Sequence, residues 1–403
     1  NDKPAELKPD ENAPVVIRIF KTIADPFVGR LSLFKVVSGT LKSGLTLKNA
    51  SKDSEEKISS IYFLKGKKQE TVDAACAGDI GALAKLSNAT TGDTLSEGRE
   101  LRLPPIELPK PVLSMAVYAA KKGDEDKIFG GLNRLKDEDI SFTVTKNAET
   151  NEMLLSGVGE TQLEILCRKL KNKFGVEAVL KEPRIAYRET IKKMAEAEGK
   201  HKKQSGGAGQ FGQCSVRFEP GAADGQFEFV DAVVGGAVPR QFIPAVEKGL
   251  REAIKEGVLA GYPMVDLKCT LFDGKSHPVD SKEVAFVSAA KLAYAEGVAK
   301  AAPAILEPIY QLKITVPESF MGDILGDMNK RRGRILGMEM VDGKQVINAE
   351  CPLAEVLKYA TDLRSMTQGR GSYEMEFVRY EEVPATQVPK IIEDAKKQAA
   401  EKE

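Results

Sequence analysis

A glycine-rich stretch directly after a basic run is the part of this sequence that most suggests ligand chemistry. Residues 201–213 read HKKQSGGAGQFGQ, and the glycines are Gly206, Gly207, Gly209 and Gly212. Glycine lets a backbone come close to a ligand, often a phosphate. A phosphate loop, however, follows a strand and opens a helix, whereas these glycines precede a predicted strand, and the sequence contains no GxxxxGK(S/T) motif. The pattern therefore argues against nucleotide binding within this chain.

The same stretch is typical either of an RNA contact or of an ordinary hairpin loop. Lysines just upstream would attract phosphate, namely Lys192, Lys193, Lys200, Lys202 and Lys203. The amides of Gln204, Gln210 and Gln213 add hydrogen-bond donors and acceptors. Phe211 beside them could stack on a base or simply pack. The residues by themselves leave both interpretations open.

Two further segments carry side chains suited to RNA. GKSHPVDS at 274–281 is predicted as a turn between a strand and a helix, and His277 there could be satisfied by its own backbone. NKRRGR at 329–334 places Lys330, Arg331, Arg332 and Arg334 at the predicted end of a helix, where cations also suit the helix dipole. Four cations within five residues exceed what that dipole requires, so this segment favours an RNA contact.

Catalytic and metal chemistry find little support in the sequence. Asp273, Asp280 and Glu283 form a carboxylate cluster without a nucleophile or metal ligands nearby, and only His201 and His277 are histidines. The five cysteines are dispersed and without CxxC spacing, as in a reduced cytoplasmic protein. Lysine plus arginine and aspartate plus glutamate each number 59, so nucleic-acid binding must rest on local clusters. We predict no catalytic residues, no metal site, no membrane association and a cytoplasmic location.

The length of 403 residues predicts three or four domains. After a polar, proline-punctuated linker at 1–14, short apolar runs predict a closed or nearly closed β-barrel at 15–107. The order β-α-β-β-α-β, a split βαβ arrangement, is predicted at 108–185 and again at 306–385. An α/β segment at 186–305 lies between them, and 386–403 is predicted as a frayed C-terminal helix or tail. We call the four parts the barrel module, the first βαββαβ module, the middle module and the second βαββαβ module.

These modules resemble domains II to V of bacterial elongation factor G. DPFVGRLSLFKVVSGTLKSG at 25–44 is similar to the start of domain II, and LLSGVGETQLEILCRKLKNKFGVE at 154–177 to domain III. QSGGAGQFGQC at 204–214 and HPVDSKEVAF at 277–286 are similar to domain IV. EPIYQLKITVPESFMGDILGDMNKRRGRILGME at 307–339 is similar to domain V. The resemblance covers 15–385 in the order of the family.

The resemblance implies a multidomain α+β fold. It consists of a β-barrel, two ferredoxin-like βαββαβ domains and, between them, a ribosomal-protein-like α/β domain with a left-handed crossover. It also implies that the family's N-terminal GTPase domain, which uses GTP and magnesium, is not in this chain, and that the linker-like start marks a fragment cut after it. This chain would then bind no cofactor and hydrolyse nothing, whereas the intact parent would be a translational GTPase. Gly157, Gly159 and Glu160 would face that domain.

The implied function is the ribosome-binding body of a monomeric translocase that moves tRNA and mRNA. Its partners would be the ribosome, the tRNA–mRNA duplex and its own GTPase domain. The tip of the middle module would enter the decoding centre of the small subunit through Gly206, Gly207, Gly209 and Gln210 and through Lys275, Ser276, His277 and Pro278. Lys330, Arg331, Arg332 and Arg334 would contact large-subunit RNA.

The sequence departs from the family pattern at several positions. It has Thr161-Gln162 where Leu-His is common, and Pro278 follows His277. EAEGKHKKQSGG at 196–207 is closer to a second, elongation-factor-G-like paralogue subgroup. A ribosomal protection factor, or another ribosome-remodelling factor of the same GTPase family, is therefore the alternative function.

Overall fold

The computed structural model describes residues 6–25, 29–66, 68–98, 100–203, 209–222 and 225–400. The chain divides into two compact units. The first consists of Asn1–Arg184 with Leu357–Gly369, and the second of Ile185–Val356 with Arg370–Glu403. Among the described helices, none combines the length and apolar character needed to cross a bilayer.

The barrel module, in the first unit, consists of two antiparallel sheets that contribute to a shared apolar core. Its strands are β1 Val16–Asp25, β2 Gly29–Ser38, β3 Thr40–Lys42, β4 Thr46–Asn49, β5 Ser54–Lys57, β6 Ile61–Lys65, β7 Lys68–Val72, β8 Ala74–Cys76, β9 Ile80–Ala84 and β10 Thr94–Ser96. Eight strands pair in the order β5-β4-β10-β1-β2-β9-β6-β7, and β3 pairs with β8. Because Ile17, Phe34 and Leu47 share a core with residues of both sheets, the strands enclose a common interior, as the sequence predicted.

The first βαββαβ module, also in the first unit, has the predicted element order. It comprises β11 Leu113–Ala119, α1 Glu125–Glu138, β12 Thr143–Lys146, β13 Met153–Gly157, α2 Glu160–Phe174 and β14 Ala178–Lys181. The sheet is antiparallel in the order β12-β13-β11-β14, which is ferredoxin-like. Leu163, Leu166 and Leu170, spaced at helical intervals, bury one face of α2. Gly175 ends the helix with φ +67°, a conformation that glycine adopts at little cost.

The middle module lies in the second unit and carries most of the residues singled out from the sequence. Its elements are β15 Arg188–Ile191, β16 Ala195–Lys203, β17 Gln210–Pro220, β18 Phe227–Asp231, α3 Ile243–Ala253, β19 Leu267–Lys275 and α4 Glu283–Lys300. The sheet order is β16-β17-β19-β18, and β18 runs parallel to β19 through the crossover that contains α3. Both helices pack on the sheet around Val246, Leu271 and Phe286, which are fully buried.

The second βαββαβ module repeats the ferredoxin-like order. It comprises β20 Pro303–Val316, α5 Met321–Lys330, β21 Arg334–Val341, β22 Lys344–Pro352, α6 Leu353–Val356, α7 Tyr359–Met366, β23 Ser372–Glu382 and the C-terminal α8 Val388–Ala400. The hairpin between β21 and β22 turns at Asp342 and Gly343, both with positive φ. The second helical part of this module consists of the two short helices α6 and α7, of which α7 belongs to the first unit.

Two strands within the segment 186–305, β15 and β16, were missed from the sequence. β16 reads AEAEGKHKK, a composition that favours helix, but Ala197 and Gly199 alternate inward along it. β15 pairs with β20 in the sheet of the second βαββαβ module, although its residues lie in the segment 186–305. β15 therefore connects the segment 186–305 to the sheet of the module that follows it.

The C-terminal helix is docked rather than frayed. Ile391 and Ala395 are buried on α8, and Ile391 packs with Ile305 and Val383. Tyr262 of the middle module packs against the same cluster. α8 thus contacts both modules of the second unit.

Candidate nucleic-acid interface

The strand ends of the middle module bring the two predicted tip segments together. Because β17 is antiparallel to both β16 and β19, the end of β16, the start of β17 and the end of β19 lie at one edge of the sheet. Lys203 pairs with Gln210, and Gln213 pairs with Lys275. The candidate interface at this edge, the tip, consists of 209–212 and 275–281. Gly206 and Gly207 lie outside the described residues, so their RNA contact stays a prediction.

At two positions of the tip, a side chain larger than that of glycine would collide with another part of the protein. A Cβ on Gly209 would lie 2.8 Å from the carboxylate carbon of Asp280. A Cβ on Gly212 would lie 2.8 Å from the backbone carbon of Ala285, in the first turn of α4. Such distances are shorter than ordinary van der Waals contacts. The close approach that these glycines permit is therefore to the neighbouring loop and helix.

His277 is held by its own turn through one ring nitrogen. Its Nδ1 accepts hydrogen bonds from the backbone N–H groups of Val279 at 3.3 Å and Asp280 at 3.1 Å. This acceptor role places the ring proton of a neutral imidazole on Nε2. The side chain is 52% exposed, and among the described residues no hydrogen bond of Nε2 is found. The backbone of the turn thus satisfies Nδ1 of His277, one of the possibilities that the sequence left open. The N–H group at Nε2 remains as a donor.

Ser281 joins the His277 turn to the start of β17. Its hydroxyl accepts from the backbone N–H of His277 at 2.8 Å and donates to the carbonyl of Phe211 at 2.9 Å. The Phe211 N–H donates to the carbonyl of Asp280 at 2.9 Å. The rings of Phe211 and His277 meet edge to face, with centroids 6.4 Å apart. The two tip segments are therefore connected by hydrogen bonds and ring packing, with Phe211 packed inside the tip.

Exposed lysines surround this connected tip. Lys200, Lys202, Lys203, Lys275 and Lys282 are exposed, and within the described part of the chain none has a carboxylate within salt-bridge distance. Gln210 is engaged within the sheet, because its side-chain oxygen lies 3.1 Å from Nε2 of His201. Ser276 and Pro278 are exposed beside His277. The tip thus combines a fixed backbone, a free imidazole donor and unpaired cations, a set suited to phosphate and ribose contacts.

The cationic segment after α5 is mostly committed to internal ion pairs. Arg331 donates to Asp327 at 2.7 Å and to the carbonyl of Glu355 at 2.8 Å. Arg332 forms a two-pronged pair with Glu307 at 2.7 and 2.9 Å and also bonds Glu355. The Glu307 hydrogen bonds raise the pKa of Arg332 further above its usual range.

Arg334 of the same segment also has an acidic partner. It pairs with Glu350 on the neighbouring strand. Hydrogen bonds from Arg379 first, and from Arg334, lower the pKa of Glu350 to about 2. Of the four predicted RNA-binding cations, Lys330 is the exposed one without a carboxylate partner among the described residues. The excess of cations that suggested RNA in the sequence is thus largely matched by Asp327 on α5 and by acids farther along the chain.

The predicted GTPase-facing residues lie at the start of α2 and are partly covered. A side chain on Gly157 would overlap that of Gln162, whose Oε1 accepts from Val158 N–H at 2.8 Å. The guanidinium of Arg364 occupies the space beside Gly159 and donates to the carbonyl of Val158. Glu160 is exposed. Gln162 also donates to Asp139 and Ser141, a bridging role that its polar character did not reveal in the sequence.

The described part of the chain contains no cluster of three or more histidine, cysteine or acidic residues that could hold an ion. Asp273 accepts from the N–H of Gly274, and the backbone N–H of Asp280 donates to His277 Nδ1, so both residues serve their own turns. Burial raises the pKa of Cys167 to about 11 and that of Cys214 to about 12, which makes both thiols poor nucleophiles.

Family models match almost the whole chain in sequence order. They are elongation factor G domain 2 at residues 14–98, domain III at 108–182, domain IV at 183–302 and the elongation factor G C-terminus at 304–391. None of these four matched segments is a GTPase domain.

A solved structure agrees with the family models. A crystal structure of a protein from Thermus thermophilus is similar at 37% sequence identity with a TM-score of 0.81. The similarity covers 96% of this chain but 58% of that protein, so the chain spans little more than half of its relative. The chain belongs to the elongation factor G family, of which it contains domain 2, domain III, domain IV and the C-terminal domain.

Proposed function

We propose that this chain is the ribosome-binding body of an elongation-factor-G-type translocase. Joined to a GTPase domain that holds GTP and magnesium, it promotes movement of tRNA and mRNA on the ribosome. The middle module reaches the decoding centre of the small subunit, where its tip contacts the tRNA–mRNA duplex. The chain acts as a monomer in the cytoplasm and hydrolyses no nucleotide by itself.

The observation that carries this proposal is the fixed tip. Ser281, Phe211 and Asp280 connect two loops from separate parts of the sequence, and His277 stands on that connection with one ring nitrogen free. A contact surface that is already ordered loses little conformational entropy when RNA binds. The unpaired lysines around it supply the sequence-independent attraction that ribosomal RNA requires.

The test joins the chain to an elongation factor G GTPase domain and measures two rates separately. We expect His277→Ala to slow tRNA–mRNA movement by about 10-fold or more, since a fixed donor is lost at the contact. GTP hydrolysis should stay at the parental rate because its chemistry lies in the other domain. Ser288→Ala, on α4 away from the tip, is the matched control. An unchanged rate of movement in the His277 variant would contradict the assignment of the tip.

The same fusion separates the alternative, a ribosomal protection or remodelling factor. Such a factor would bind ribosomes and respond to His277→Ala in a drug-release assay, while promoting no movement of tRNA. The isolated chain should show no saturable binding of GTP in calorimetry at micromolar concentrations. Saturable binding would show that these modules contain a nucleotide site although their sequence has no phosphate-loop motif.

A further inference from the structure

The three most exposed large apolar side chains on the described surface all lie in one module. Val234 is 83% exposed, Val279 is 76% exposed and Val284 is 61% exposed. Val279 belongs to the His277 turn, and Val284 lies in the first turn of α4. Exposed apolar side chains are common singly, but a group at one edge of a module marks a contact surface. The position of Val234 decides whether the three form such a group.

The segment that carries Val234 reaches the same sheet edge as the tip. β18 runs parallel to β19 up to the pair Asp231 and Leu271, and the N–H of Ala232 extends this pairing by donating to the carbonyl of Leu271 at 2.8 Å. Val238 then packs against Gly274, where an added Cβ would overlap its side chain. The chain between Ala232 and Val238 is therefore a turn beside the end of β19, next to Lys275.

The turn that carries Val234 contains two exposed glycines with left-handed backbone conformations. Gly235 and Gly236 have φ values of +70° and +72°, in the left-handed region that favours glycine. No atom lies within 4 Å of a Cβ placed on either glycine, so neither is a glycine because of internal packing. This contrasts with Gly209 and Gly212, whose missing side chains make room for the protein itself. Val234, Gly235 and Gly236 thus form an exposed, ordered apolar turn.

Val284 completes the group on the helix side of the sheet edge. A Cβ on Gly212, near the start of β17, would lie 2.8 Å from the backbone of Ala285, so the first turn of α4 is close to the tip. Arg240, Lys275 and Lys282 of the same module are exposed, with no carboxylate within salt-bridge distance among the described residues. Four strands spaced about 4.8 Å apart make this edge roughly 14 Å wide.

We propose that the turn Val234–Gly236 is a third RNA-contacting element, which together with Val279 and Val284 packs against the ribose and base edges of an RNA duplex. The inference rests on the proposed function and adds a surface outside both tip segments. Cations interspersed with small apolar side chains match RNA, whose shallow groove presents sugar and base edges between phosphates. A protein partner with a purely apolar surface would offer no acidic groups to pair with these cations.

The experiment places the photo-crosslinker p-benzoylphenylalanine at single positions of the full chain bound to ribosomes that carry mRNA and tRNA. The positions are 234, 279 and, as a control of similar exposure in the barrel module, 80. Ile80 is 57% exposed. We expect crosslinks to RNA from 234 and 279 and at least fivefold less from 80. Because all three side chains are exposed, the substitutions should leave the fold intact.

Each outcome has a distinct meaning. RNA crosslinks at 279 but none above control at 234 would overturn the third element and leave the proposed function standing. Crosslinks from 234 to a ribosomal protein would also overturn it, in favour of a protein partner. Absence of RNA crosslinks at both positions would remove the inference together with the proposed tip. As a second measurement, Val234→Glu should weaken ribosome binding about 10-fold. Val234→Met should weaken it less than twofold, and equal affinities of the two variants would contradict the contact.

Discussion

The hydroxyl of Ser281 and the imidazole of His277 determine the geometry of the tip. Ser281 contacts two segments with one oxygen, accepting from His277 and donating to Phe211. His277 in turn accepts two backbone N–H groups through Nδ1. These bonds hold the turn that carries the half-exposed imidazole of His277. Ser281 is therefore a positioning residue, whereas His277 is a candidate for contact with RNA.

We expect Ser281→Ala to loosen the tip without unfolding the middle module. Loss of its two hydrogen bonds should destabilise the turn by about 1–2 kcal/mol, because both partners then depend on water. Amide hydrogen exchange at residues 277–281 should quicken, while exchange in α4 beyond its first turn stays unchanged. Ser288→Ala is the control for removing a hydroxyl from the same module.

The rescue variant sharpens this test. Ser281→Thr keeps the hydroxyl and should retain most of the protection from exchange at residues 277–281. Protection in Ser281→Ala equal to that of the parent would show that the main-chain pairing of Phe211 with Asp280 holds the tip by itself.

At the level of elements, the fit between β17 and α4 depends on Gly212. We expect Gly212→Ala to destabilise the middle module by about 1–3 kcal/mol, since the added methyl group meets helix backbone that cannot rotate away. Gly209→Ala should cost less, because it meets the end of the Asp280 side chain, which can move. Chemical denaturation followed by a probe in the middle module measures both. Equal losses for the two variants would contradict this account of the glycines.

At the level of elements, the cationic segment after α5 also predicts how ribosome binding depends on salt concentration. Lys330→Ala should reduce the slope of log K against log salt for ribosome binding by about 0.7–0.9, the value for one phosphate contact. Arg332→Ala should instead destabilise the second βαββαβ module by about 3–5 kcal/mol, because Glu307 would remain buried without its partner. A large change of slope in Arg332→Ala with unchanged stability would restore the RNA role that the sequence suggested.

Local sequence patterns predicted the elements whose structure depends on neighbouring residues. They failed where contacts between residues distant along the chain determine the structure. The spacing of Leu163, Leu166 and Leu170 was sufficient to place α2. The strand β16 was missed because its alanines, glutamates and lysines favour helix locally, and its pairing with β17 overrides that preference. Arg332 looked like a free cation because Glu307 precedes it by 25 residues. The turn of Val234 gave no signal beyond two glycines, since its significance depends on strand order.

At the scale of the whole molecule, a buried carboxylate connects the two modules of the second unit. Glu189 on β15 is fully buried and accepts from the N–H groups of Leu259 at 2.9 Å, Ala260 at 2.8 Å and Tyr262 at 3.2 Å. β15 belongs to the sheet of the second βαββαβ module, whereas residues 259–262 belong to the middle module. Together with α8, this contact joins the module that carries the tip to the ferredoxin-like module beside it.

Glu189→Ala leaves three N–H groups without their acceptor, and each costs about 1–3 kcal/mol if it stays buried and unpaired. We expect residues 256–265 to lose protection from hydrogen exchange, while the hydrogen bonds of Ser281 at the tip stay intact. Joined to a GTPase domain, the variant should move tRNA more slowly with normal GTP hydrolysis, because an intact tip on a loosened module transmits less displacement. Glu228→Ala, which removes an exposed carboxylate from the same module, is the control. Parental movement of tRNA in a Glu189 variant with demonstrably loosened 256–265 would show that rigidity between the two modules is not what the tip requires.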